Sequence, residues 1–85
     1  MYIFVVERLI EKQDTPNTGF QFMYAFKNYN DARMYCENWI KDVIVNSDID
    51  IQYFSDPHYD FISCKAQDRR YLFRIKETKL VESYE

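Results

Sequence analysis

Polar and apolar residues alternate most cleanly from Phe20 to Lys27, where Phe20, Phe22, Tyr24 and Phe26 are separated by Gln21, Met23, Ala25 and Lys27. A period of two over this length predicts a strand with one aromatic face. Residues 2–12 predict an earlier strand, rich in β-branched and aromatic types. There Ile3, Val5 and Leu9 alternate with Tyr2, Phe4, Val6 and Ile10. Both registers are apolar near the start, as in a strand covered on its two faces by the fold or by a partner. The turn-rich segment Gln13 to Gly19 joins the two strands into a hairpin.

The period then lengthens. Ala32, Tyr35, Cys36, Trp39, Ile40, Val43 and Ile44 recur at i, i+3, i+4 and i+7, the signature of a helix with one apolar stripe. Arg33, Glu37, Asn38, Lys41 and Asp42 take the other side. Asn30 is the expected N-cap, with Tyr29 and Met34 placed for a hydrophobic staple and Asp31 facing the macrodipole. Asn46 is the expected helix end. Trp39, in the middle of the stripe, is the expected anchor of the helix on the sheet.

Three more strands follow. Ile49, Ile51 and Tyr53 alternate with Asp50 and Gln52, Tyr59 to Lys65 forms the next, and Tyr71, Phe73 and Ile75 alternate with Arg70, Leu72, Arg74 and Lys76. Turns at 55–58 and 67–69 separate them. The order β-β-α-β-β-β over residues 1–85 predicts one α+β domain, a largely antiparallel sheet with one helix packed on one face. It is similar to the element order of a β-grasp fold, and it leaves the strand order inside the sheet unread.

Composition sharpens this. The chain has eight Tyr, seven Phe, one Trp and one Gly, so aromatic rings supply the core of a short domain and no Gly-rich loop exists to wrap a phosphate. The net charge is -3, a poor match to a general nucleic-acid neutraliser. No apolar run approaches the roughly 20 residues that span a bilayer. Tyr2 to Val6 is too short for a signal core and has no basic flank. A cytoplasmic location is expected. Cys36 and Cys64 lie in patterns of buried structure and read as unpaired, inert thiols. With His58 they do not make a four-ligand zinc set.

Catalytic candidates are few. His58 lies between Asp56 and Asp60, but no nucleophile is placed with it and an exposed turn histidine is the expected outcome. Asp48, Asp50, Asp56 and Asp60 lack the spacing and the glycine of a calcium loop. Neither an enzyme nor a metal or cofactor site is expected.

Charge is distributed unevenly. Residues 42–60 hold five acids and no Lys or Arg, whereas residues 65–79 hold six bases and two acids. Two readings compete: the acidic and basic segments pair with each other across strands, or the basic strand docks a partner. If Tyr71, Phe73 and Ile75 face the helix, Arg70, Arg74 and Lys76 line the uncovered face with Met23 and Ala25. Arg69, Arg70, Arg74, Lys76 and Met23 are therefore the expected partner-binding residues. Arginine beside aromatic residues suits a protein interface, and it also suits RNA or single-stranded DNA, although no RNP-type run is present. A protein partner is the first expectation, nucleic acid the second, and a homodimer is the simplest cover for the apolar face. Short, poor in glycine and rich in Tyr and Asn, the chain resembles small accessory proteins of bacteriophages. That resemblance implies an inhibitor or adaptor of a host or defence protein.

Overall fold

The computed structural model describes residues 2–12, 19–43, 50–66 and 69–79. They form β1 (Tyr2–Lys12), β2 (Gln21–Phe26), α1 (Tyr29–Val43), β3 (Ile51–Ser55), β4 (Asp60–Ala66) and β5 (Arg69–Lys79). The order β-β-α-β-β-β and the single helix on one face of the sheet are those that the hydrophobic periods predict. The expected helix end at Asn46, the contributions of Ile44 and Ile49, and the tail from Leu80 lie outside the described residues.

The five strands are ordered β2-β1-β5-β4-β3, and every neighbouring pair is antiparallel. β1 and β5 pair along their whole length, Tyr2 with Lys79 through Lys12 with Arg69. The first and last strands therefore make the interior of the sheet, and the hairpins β1-β2 and β3-β4 extend it to either side. Gly19, at φ 91°, leads the chain into β2 in a backbone conformation that costs other residues a clash at Cβ.

Register decides which side chains share a face. Val6, Ile62, Cys64, Tyr71, Phe73 and Ile75 turn toward α1 and close a core with Ala32, Cys36 and Ile40. Trp39 packs beside it, with its ring centroid 5.3 Å from Phe73 and 5.4 Å from Tyr71. Arg8 interrupts the apolar row of β1 on this side. Its guanidinium lies 5.0 Å from the Trp39 ring, and its Nη2 donates to Gln21 Oε1, so an aromatic lid covers the cation.

Two local expectations give way. The helix is capped by Asn28 rather than Asn30. Asn28 Oδ1 accepts from the Asp31 amide at 2.8 Å while its Nδ2 donates to Asp31 Oδ2 at 2.8 Å. Tyr29 is thereby drawn into the first turn, where its ring meets Phe4 edge-on at 5.9 Å. Met34 is exposed, so the expected Tyr29–Met34 staple does not close. Met23 is the other correction. A bulge pairs Val6 with Tyr24 and Glu7 with Phe22, leaving Met23 as the extra residue of β2. It packs against the core instead of joining Ala25 on the uncovered face.

Candidate interaction surface

The face of the sheet away from α1 is built by the alternate registers. β1 contributes Ile3, Val5, Glu7, Leu9 and Glu11, and β5 contributes Arg70, Leu72, Arg74, Lys76 and Thr78 as their cross-strand partners. Phe61 and Ser63 of β4 continue these rows, and Phe54 of β3 lies opposite Phe61. The helix lies on the other face, and on this one Leu9 and Ser63 are buried while the residues around them are partly exposed.

Its centre is a ladder of ion pairs. Arg74 Nε donates to Glu7 Oε1 at 2.6 Å, and Arg70 Nη1 lies 3.4 Å from Glu11 Oε1. The first pair is the tighter one, its side chains being 24% and 26% exposed. The Arg74 guanidinium also lies 3.8 Å from the Phe20 ring and 4.5 Å from the Tyr59 ring, so two aromatic faces and a carboxylate fix its orientation. Lys76 Nζ approaches the same Tyr59 ring at 5.9 Å. Aromatic residues flank the ladder on both sides. Phe22 is 60% exposed toward the β2 edge, and Phe54, 44% exposed, stacks on Phe61 at 4.8 Å toward the β3 edge.

Of the residues expected to bind a partner, Arg70, Arg74 and Lys76 meet on this face. Arg69 does not. It pairs with Lys12 and Ala66 at the opposite parity of β5. Met23 is withdrawn by the bulge. The partners of the arginines also differ from the internal-pairing reading, because the carboxylates come from β1 and not from the acidic 42–60 segment. Glu7 and Glu11 were the missed residues. Their signal was the spacing of four along a strand, which places both on one face beside Leu9.

The region around His58 is organised differently. Asp56 Oδ1 accepts the amides of His58 and Tyr59, both at 2.7 Å, and these bonds hold its carboxyl below the usual carboxylate range. Asp56 therefore builds the turn rather than orienting the imidazole. Asp60 accepts from Ser55 Oγ at 2.8 Å. Burial, and then the hydrogen bond with Asp60, push the Tyr29 phenol up. A cleft of about 800 Å³ opens here between Tyr2, Phe4, Tyr29 and the 56–59 turn. Among the described residues no three His, Cys, Asp or Glu side chains are grouped to hold a metal.

Both cysteines are unpaired and buried. Burial pushes the Cys36 thiol up to about 12 and raises that of Cys64, which suppresses the reactive thiolate. On the other side of the helix, the Tyr53 hydroxyl donates to Glu37, and Arg33 pairs with Glu37 at 3.3 Å. These contacts, the tyrosine bond foremost, hold Glu37 below its ordinary range and tie α1 to the β3 edge. Among the described residues, no helix is long and apolar enough to cross a membrane. Compared with known proteins, the chain matches no family model, no curated protein and no solved structure.

Proposed function

We propose that the chain is a non-enzymatic binding domain that takes a protein partner on the uncovered face of its sheet. One observation carries the reading: Arg70 and Arg74 are each closed by a β1 carboxylate, between aromatic flanks. A strand of nucleic acid gains affinity by replacing counterions with unpaired cations. Here it would meet Glu7 and Glu11 in front of the two arginines. A protein interface instead uses oriented arginine and aromatic side chains as anchors, with paired charges setting register. In keeping with the bacteriophage resemblance, the domain acts in the cytoplasm as an inhibitor or adaptor of a host or defence protein.

RNA or single-stranded DNA is the second reading, favoured by one feature. The Phe54 ring is exposed at the β3 edge, stacked on Phe61, and bases stack on such rings. Anisotropy of labelled single-stranded oligonucleotides, measured from about 50 to 200 mM salt, separates the two. The protein reading expects no saturable binding. It also expects capture of a protein from host lysate that survives nuclease treatment and is lost with Phe22→Asp or Phe54→Asp. Saturable binding that falls steeply with salt and disappears with Phe54→Ala would put nucleic acid first.

A further inference from the structure

We infer that the partner seated on the uncovered face is a second copy of this chain, related by a two-fold axis that runs parallel to the strands between β1 and β5. The inference rests on the protein-binding reading of that face and names its partner. The cross-strand registers place Phe22, Glu7, Arg74 and Phe61 on one line across the sheet. In order, these are an aromatic ring, an acid, a base and an aromatic ring. Turned over about that axis, the line meets its own complement. Glu7 faces the second copy's Arg74, Arg74 faces the second copy's Glu7, and Phe22 faces the second copy's Phe61.

Two further lines obey the same operation. Glu11 pairs with Arg70 in register and Leu9 with Leu72. The axis therefore lays acid over base again, and leucine over leucine. A two-fold axis running across the strands would lay β1 on β1 and oppose the carboxylate rows, which like-charge repulsion disfavours. A face that is its own complement along three lines is suited to an isologous dimer, and the Val5–Lys76 line sets lysine over valine nearer one end.

The size is adequate. The axis leaves β3 overhanging, so the four strands β2, β1, β5 and β4, of 6 to 11 residues, overlap over roughly 560 Å² in projection at a spacing of about 4.8 Å, the order of the ~800 Å² a standard interface buries on each partner. Two sheets packed face to face with strands nearly aligned is a common way to bury such surfaces.

The test is self-sorting. The double variant Glu7→Arg with Arg74→Glu keeps an ion pair within each chain, so the fold is retained, and it also keeps acid over base in a dimer of itself. A mixed dimer with the unaltered chain instead opposes like charges on both sides of the axis. Native mass spectrometry of the two chains, one of them nitrogen-15 labelled because the charge swap leaves the mass unchanged, mixed and left to exchange, should show both homodimers and a mixed species reduced from the statistical half to below about a tenth. Glu11→Arg with Arg70→Glu, a more exposed pair, provides the same test if the first variant does not fold. Sedimentation of the unaltered chain should give a dimer at about 100 µM, a concentration suited to a standard-size interface. A monomer at that concentration would overturn the second-copy inference and leave the protein-binding reading to the lysate experiment. A dimer whose mixed species stays at the statistical half would place self-association on another surface and overturn it equally.

Discussion

Phe73 and Leu72 are neighbours in the chain, yet they lie on sheet faces organised by different physics. Phe73 is fully buried, edge-on to Trp39 and beneath α1. Leu72 lies between Arg70 and Arg74 on the uncovered side. The helix-side face is almost continuously apolar at its centre, where the cation of Arg8 is covered by Trp39, and its other cations, among them Lys12 and Arg69, sit at the strand ends. The uncovered face alternates apolar residues with an ordered Glu–Arg ladder. Burial without direction stabilises a fold. Oriented charges add little stability when solvated, but they discriminate between partners and registers. On the proposed reading, one face maintains the domain and the other specifies what it meets.

The largest effect should come from the helix side. Phe73→Ala is expected to cost roughly 3–5 kcal/mol, a large share of a small domain's stability. Leu72→Ala should cost under about 1 kcal/mol for the monomer, since its side chain meets no helix. Denaturant unfolding of both variants measures the contrast, and equal losses would erase the distinction between the faces. Trp39→Ala should fall below Phe73→Ala, at roughly 2–3 kcal/mol, because the ring is only partly buried and also serves as a lid on Arg8.

Smaller changes sharpen the comparison. Asn28→Ala removes the observed cap and should cost about 1 kcal/mol, whereas Asn30→Ala should leave the thermal midpoint nearly unchanged. On the uncovered face, Arg74→Ala should cost about 1 kcal/mol through loss of its short, half-sheltered bond to Glu7. Arg70→Ala should cost about half of that or less. On the proposed reading, both act mainly on association. A thiol titration without denaturant should label neither cysteine, because burial raises both thiols, and labelling should follow global unfolding. Glu37 is held low by Tyr53 and Arg33, so its contribution is present above the unfolded carboxylate range and fades as pH falls through the lower folded value. Tyr53→Phe should therefore flatten the acid limb of the stability profile.

The elements were legible because their periods are local. The aromatic alternation of β2, the stripe of α1 and the parity of Tyr71, Phe73 and Ile75 each follow from residues within a few positions. The ladder was not legible in the same way. Glu7 and Arg74 lie 67 residues apart, and Glu11 and Arg70 lie 59 apart. Their meeting depends on β1 pairing with β5, which no local pattern specifies. Met23 shows how one added residue defeats parity, since the bulge turns it from the uncovered face to the core. The cap was misplaced by two residues because Asn28 and Asn30 have the same capping chemistry. Only the inward packing of Tyr29 on Phe4 selects between them.

The central claim is that the two faces divide stability from association, and methyl NMR on dilution tests it most directly. Signals of Ile3, Val5 and Leu72, which are only partly buried in the single chain, should gain protection from a soluble paramagnetic probe as concentration rises into the micromolar range, while those of Val6, Ile40 and Ile75 stay protected throughout. Concentration-independent exposure of the first group, or a change confined to the second, would contradict the division.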